Sequence, residues 1–347
     1  MNARVERLRA ELEQPLLVTN PVNVFYLSGL ESSNAALLVE PERVRLFTDF
    51  RYAEAASEVE GVEVVETERR ILVDLGRRLS GRIAFEAADV SYAGFEALSA
   101  EAVELIPTYG AVERLRRVKD EGELERIRRA AAITDAAYER VVEEGFIGKT
   151  ERELAWRMEQ IFRELGAHEL SFPAIFAAGA NASRPHATPG ERELEPGQTL
   201  VVDAGCIVDG YCSDCTRTFA TGPLPDELKQ AYAVCLEAQQ AGLEATRAGA
   251  GCRAVDAASR VPVQEAGLGE CYRHGLGHGV GLLVHEDPRL ADYVPETDVL
   301  ETGNVVTIEP GIYLEGVGGV RIEDLVVVTE EGAEVLSSFP KDLIIVD

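Results

Sequence analysis

The chain has 347 residues, enough for two domains at roughly 150 residues each. Its 46% hydrophobic and 27% charged content is that of an ordinary globular protein and rules out disordered, collagen-like and disulfide-stapled classes. A formal charge of −27, spread along the chain rather than gathered in a tail, repels phosphate backbones and argues against a nucleic-acid partner. The N-terminal segment MNARVERLRAELEQP lacks the apolar run and small-residue site of a signal peptide. No stretch nears 18 uninterrupted apolar residues, so no membrane span is expected. Six cysteines are too sparse for a disulfide framework, and a reduced, cytoplasmic protein is expected.

In chain order, the first ~115 residues alternate short apolar runs with amphipathic segments. They predict strands at Leu16–Thr19, Ala35–Glu40, Val44–Asp49, Val62–Glu66 and Arg82–Glu86, and helices over 3–13, 51–59, 70–80 and 92–101. Such alternation makes an α/β domain, and no glycine-rich phosphate loop follows any of its strands. The charge-rich stretch 112–123 marks the domain boundary, giving domains over 1–117 and 118–347. Asp120 with Glu123, and Thr150 with Glu153, read as capping boxes that open the next two helices; Gly166 ends the second. Strands dominate from about 195, with helices near 225–247 and 253–266.

The most informative stretch runs from Thr199 to Ala220. Two β-rich runs flank Asp209-Gly210, the signal of a type I′ hairpin turn. That turn places Asp203 opposite Thr216 and Asp214 opposite Gly205, so Asp203 and Asp214 are diagonal neighbours on one face, about 7–8 Å apart. Two carboxylates there repel unless a cation lies between them, one keeps a proton, or both face solvent. Cys212 and Cys215 suggest zinc by spacing alone. The period of two sends them to opposite faces, and no second cysteine pair exists, so they read as packed residues.

Three of the five histidines, His274, His278 and His285, fall in YRHGLGHGVGLLVHEDP, where glycines at 275, 277, 279 and 281 argue against a helix. In an extended segment His274 and His278 share a face, and the glycines let backbone come close to a ligand. Glu309 and Glu323 then sit inside apolar runs, where a carboxylate is costly unless it coordinates or pairs; for Glu323 a salt bridge with Arg321 is the simpler alternative. Together Asp203, Asp214, His278, Glu309 and Glu323 offer four carboxylates and one imidazole. That oxygen-rich set suits a pair of Mn²⁺-like ions better than structural zinc. Two such ions activate water for hydrolysis.

The ordered motifs DAG–x8–DxTRT, HGLGHGVGL–x2–HE, IEPGIY and GGVRIED resemble those of the pita-bread metallopeptidases, in particular the Xaa-Pro branch of prolidase and aminopeptidase P. The resemblance spans the chain and implies a small α/β N-terminal domain of creatinase/prolidase type followed by an α+β pita-bread catalytic domain. It implies two divalent ions per chain, Mn²⁺ with Co²⁺ or Zn²⁺ as alternatives, held by Asp203, Asp214, His278, Glu309 and Glu323. His186 and His285, protonated or as neutral donors, would steady the intermediate, and Glu309 would shuttle a proton. His274, Tyr313 and Arg321, which the resemblance implies as substrate-binding residues, stand where the Xaa-Pro enzymes place them, which disfavours a methionine aminopeptidase; the intact ligand set disfavours a creatinase or a non-catalytic relative.

The substrates implied are short proline-containing peptides, and family members are commonly homodimers. Arg289, four residues after His285, is a candidate clamp for a free carboxylate or else a surface arginine. If it is a clamp, the chain is an Xaa-Pro dipeptidase; aminopeptidase P acting on Xaa-Pro-Yaa peptides is the alternative.

Overall fold

The computed structural model describes residues 3–99 and 102–346, in two compact units, Met1–Arg116 and Arg117–Asp347. In the first unit the expected alternation becomes one six-stranded mixed sheet. Its spatial order is Glu63–Glu66, Val44–Thr48, Ala35–Val39, Leu16–Val18, Gly81–Glu86, Val103–Thr108. Leu17, Leu38, Phe47, Ile83 and Phe85 face helices Ile71–Arg78 and Tyr92–Leu98 and are buried with Leu75 and Leu98. The last two residues of the helix predicted over 92–101 lie outside the described residues, as do Met1, Asn2 and Asp347 at the domain ends.

Elements additional to those predicted include Pro21–Ser28, Val103–Thr108 and the helix Ala111–Arg117. Pro21–Ser28 is a short helix with a complete set of terminal signals: the Asn20 side chain caps Val22 and Asn23, proline stands in the first turn, and Gly29 closes it with φ of +74°. Val103–Thr108 contains Pro107 and is one of the two edge strands of the sheet, where a missing N–H is tolerated.

In the second unit both capping boxes form, at Asp120/Glu123 and Thr150/Glu153, opening helices Glu121–Glu143 and Glu151–Glu164. These helices pack with the sheet Cys215–Ala220, Thr199–Ala204, Ile175–Ala178 around Tyr138, Phe162, Phe176 and Phe219. A second helix pair, Asp226–Ala245 and Cys252–Glu265, contributes to the cores beside the remaining strands. Five of those strands form a sheet in the order Glu286–Leu290, Gly277–Gly279, Val305–Ile308, Asp324–Val328, Ala333–Val335. The hairpin Gly311–Leu314/Gly318–Arg321 lies against the other sheet, the Thr218 hydroxyl donating to Arg321 C=O (2.8 Å). Backbone bonds such as Glu323 N–H to Thr216 C=O (3.1 Å) tie the two halves together.

The hairpin around Asp209-Gly210 has the expected register, with Val208 opposite Tyr211 and Asp203 opposite Thr216. Asp209 and Gly210 have φ of +48° and +84°, both positive as a type I′ turn requires. Its ladder is interrupted at Gly205 and Ser213. A Cβ on Gly205 would collide with the Ser213 carbonyl. Ser171 replaces the lost pairing, its amide donating to Gly205 C=O (3.0 Å) and its hydroxyl to Ser213 C=O (2.9 Å).

Candidate metal centre

Alternation along Thr199–Ala204 sends Leu200, Val202 and Ala204 into the aromatic core. Asp203 therefore takes the opposite face, together with Asp214 and Thr216 from the returning strand. His278 comes from Gly277–Gly279, an extended stretch shorter than its pattern suggests, because the ladder shifts register between His278 and Gly279. Gly277 makes that placement possible: a Cβ there would overlap the Thr307 carbonyl of the neighbouring strand. Glu309 follows that strand, and Glu323 lies between Gly318–Arg321 and Asp324–Val328.

Ligand atoms of Asp214, His278 and Glu323 lie within 4.8 Å of one another. The His278 Nε2 is 3.7 Å from Asp214 Oδ2 and 3.1 Å from Glu309 Oε1. Its Nδ1 lies 3.2 Å from the Gly279 carbonyl, which can only accept, so the Nδ1 carries hydrogen and Nε2 faces the carboxylates. Arg321 meets Asp203 at 2.6 Å and comes within 3.9 Å of Glu309. The salt bridge considered for Glu323 and Arg321 is thus corrected: the guanidinium goes to Asp203. Glu323 instead accepts from the Thr216 hydroxyl at 2.7 Å. Arg321 also donates to Tyr313 Oη (2.9 Å), which stands 3.1 Å from His274 Nε2. Asp203, Arg321, Tyr313 and His274 form a continuous hydrogen-bonded chain.

Two threonines complete the site. Thr216 accepts from Arg321 Nε (3.0 Å) while donating to Glu323, and Thr307 accepts from the His278 amide (3.1 Å) while donating to Glu309 (3.2 Å). Neither was among the sequence candidates. For Thr216 the signal was present, because the hairpin register puts it opposite Asp203 and the period of two puts it beside Asp214.

Electrostatics make the fully ionised cluster unfavourable unless cations or protons join it. Burial, reinforced by the charges of Glu323 and Asp203, raises Asp214 far above the carboxylate range; burial, with Glu309 and Asp203, does the same to Glu323. Burial also raises Asp203 against the pull of Arg321. Glu309 moves the other way. Burial pushes it up, but the His278 hydrogen bond and nearby positive charge bring it to about 2. Asp203 Oδ1 and Glu323 Oε1 are buried without a hydrogen-bond partner. Orphaned acceptors of this kind are costly, and the chemistry of the set fits divalent metal ions.

His285 packs edge-on to His278, ring centroids 4.2 Å apart. Burial, His278, Arg289 and His186 all act to lower it, and it falls to about 4. Of the two forms considered for His285, the neutral donor is therefore the one present at pH 7. His186 is exposed on its loop, near enough to His285 to be felt electrostatically. Arg289 is half-buried and pairs directly with His278 across the antiparallel ladder. Cross-strand partners project to one face, so Arg289 shares the face of His278. Cys212 and Cys215 are buried free thiols, and burial raises both, Cys212 to about 12.

Residues 125–330 match metallopeptidase family M24, and residues 4–118 match the Creatinase/Prolidase N-terminal domain. The chain belongs to metallopeptidase family M24. Its structure is similar to that of an Xaa-Pro dipeptidase from Bacillus anthracis, with a TM-score of 0.94 and 38% identity over 99% of each chain. It is also similar to an X-Pro aminopeptidase from Thermotoga maritima, with a TM-score of 0.89 and 33% identity over 99% of each chain. In sequence it is 31% identical to an Xaa-Pro dipeptidase of Pyrococcus horikoshii over 99% of both chains. The M24 chain is thus a metallopeptidase with an α/β N-terminal domain and a pita-bread catalytic fold. Among the described residues no helix is long and apolar enough to cross a membrane.

Proposed function

We propose that this M24 chain hydrolyses the Xaa-Pro peptide bond with two divalent ions, and that it is an Xaa-Pro dipeptidase. Asp203, Asp214, His278, Glu309 and Glu323 would hold the ions, the reading being supported by the orphaned oxygens of Asp203 and Glu323. Bound there, the ions supply positive charge that polarises the scissile carbonyl and lowers the pKa of water towards neutrality. The protein's own groups do the rest. Glu309, held by Thr307, accepts the proton of the attacking water and passes it to the proline nitrogen. His186 and His285 donate to the oxygen of the tetrahedral intermediate, a role worth roughly 3–4 kcal/mol per donor in other enzymes. Arg321 holds Asp203 and donates to Tyr313, with His274 at the end of the same chain and all three lining the substrate site. The bond to proline carries no N–H, so recognition falls on the termini and the ring.

The observation that carries the dipeptidase reading is Arg289: a guanidinium on the face of His278, with no hydrogen bond or ion pair to any described residue. A free proline carboxylate, present in a dipeptide and absent from Xaa-Pro-Yaa, satisfies it bidentately. Domains over 1–117 and 118–347 belong to the same proposal. So do Mn²⁺ as the ion, supported by the oxygen-rich donors; a homodimer, supported by the resemblance; and a cytoplasmic setting, supported by six unpaired thiols. The test compares Xaa-Pro with Xaa-Pro-Yaa hydrolysis by Mn²⁺-loaded protein. Preference for Xaa-Pro is expected, cleavage of Xaa-Pro-Yaa alone makes the chain an aminopeptidase P, and metal binding without cleavage of either makes it a non-catalytic relative.

A further inference from the structure

Outside the ligand cluster, Lys119 and Glu286 form an ion pair at 2.8 Å whose side chains are 1% and 9% exposed. Taking two such charges out of water costs several kcal/mol each, and packed apolar side chains would stabilise the fold about as well. What the pair holds is the informative point. Glu286 follows His285 and begins the strand Glu286–Leu290. Its second oxygen lies 3.5 Å from the Leu283 amide, and a Cβ on Gly281 would collide with the same carboxylate. Gly281 N–H donates to Leu283 C=O (3.0 Å), closing the loop, and Gly281 C=O accepts from Cys212 N–H (2.8 Å) beside the metal hairpin. The loop that presents His285 is therefore built around the Glu286 carboxylate.

The ammonium that grips this carboxylate has a rigid mount. Lys119 N–H donates to Gly303 C=O (2.9 Å), and Arg117 C=O accepts from the Asn304 side chain (3.0 Å). Residues 303 and 304 lead directly into Val305–Ile308, the strand that delivers Glu309. The pair thus connects the backbone that carries Glu309 to the residue next to His285.

We propose that Lys119 is a positioning residue which, through Glu286, fixes His285 relative to Glu309 so that His285 meets the reacting carbonyl of the substrate. This rests on the role given to His285 above. Neither Lys119 nor Glu286 is placed in contact with substrate. The test uses the full-length, Mn²⁺-loaded protein. In Lys119→Met, kcat for Xaa-Pro is expected to fall at least about tenfold, as a misplacement near 1 Å can cause, with KM moving far less. Mn²⁺ affinity by chelator competition stays unchanged, and amide exchange accelerates in 281–287 but not in 305–308. The double variant Lys119→Met/Glu286→Gln also removes the buried carboxylate charge; its melting temperature is expected to recover while kcat stays low. Recovery of kcat with the melting temperature, or unchanged exchange in 281–287, overturns the proposal. If Lys119→Met does not fold, Glu286→Gln alone keeps the shape and is expected to show the same split between kcat and KM at smaller size; a wild-type kcat there overturns it. If the wild-type protein cleaves no Xaa-Pro bond, the functional reading fails, and the exchange pattern still decides whether Lys119 holds the loop.

Discussion

Thr216 Oγ1 donates a 2.7 Å hydrogen bond to Oε2 of Glu323 and leaves Oε1 of the same carboxylate buried without a partner. One oxygen is fixed by the protein and the other is left for a cation. Because Thr216 simultaneously accepts from Arg321, which holds Asp203, a single hydroxyl orients carboxylates from two separate segments of the chain. Thr216→Val keeps the β-branched shape and removes the hydroxyl. Metal affinity is expected to fall about 10- to 100-fold, the usual cost of losing a group that orients a ligand. Chelator-competition titration measures it, and an affinity equal to wild type would show that Thr216 does not orient Glu323.

Metal removal should also be visible in stability. Four carboxyl groups face one guanidinium in this cluster, so in the ion-free protein burial makes Asp214 and Glu323 hold protons and the set is left without its cation partners. A ligand at a hundredfold excess over its Kd adds about 2.7 kcal/mol per site. Calorimetry with and without Mn²⁺ should therefore show a higher melting temperature for the loaded protein. The absence of any metal-dependent shift would mean that these carboxylates do not share an ion.

A pH effect is expected in the first unit, away from the metals. Glu86 is 6% exposed and is raised from 4.5 to about 7, chiefly by burial, against the pull of donors from Thr19, Asn20 and Asn23. The folded form therefore keeps a proton that the unfolded chain releases between those two values. Stability is full below about 4.5 and declines as pH rises towards 7, by up to about 3 kcal/mol. Glu86→Gln cannot titrate. Its own amide would face that of Asn23, so its absolute stability drops, but its melting temperature should change less than that of the wild type between pH 5 and 7.5. Equal changes in the two proteins would rule out Glu86 as the titrating group.

These cases divide according to what the sequence could reveal. The hairpin carrying Asp203 and Asp214 was legible because Asp209-Gly210 sets the register from a two-residue turn, and the register alone places both carboxylates on one face. The helix Pro21–Ser28 carried readable signals in Asn20, Pro21 and Gly29, but it is too short for a periodic apolar stripe to announce it. The choice of Asp203 over Glu323 as the partner of Arg321 was not legible. Asp203 is 118 positions from Arg321, and only the packing of their strands brings them together. The pairing of Lys119 with Glu286, 167 positions apart, is hidden for the same reason. Local chemistry writes ligand types and turns into the sequence; which of several like charges takes a given partner is decided by tertiary contact.

The specificity assignment turns on Arg289. It lies opposite His278 in the ladder, with its guanidinium unpaired among the described residues. Leaving such a group without an anion is tolerable where solvent reaches it, and Arg289 is half-buried. When a proline carboxylate fills the site, the two planar groups can form parallel N–H···O bonds, which Lys could not reproduce. Losing a hydrogen bond to a charged group costs about 1.5–3 kcal/mol, so Arg289→Ala should raise KM for Xaa-Pro roughly ten- to hundredfold with a smaller change in kcat. A tripeptide Xaa-Pro-Yaa presents an amide at that position and should be nearly indifferent to the substitution. Arg289→Lys should recover only part of the loss. Equal losses on dipeptide and tripeptide would mean that Arg289 supports the site without reading the carboxylate, and the dipeptidase assignment would lose its basis while the metal centre kept its own.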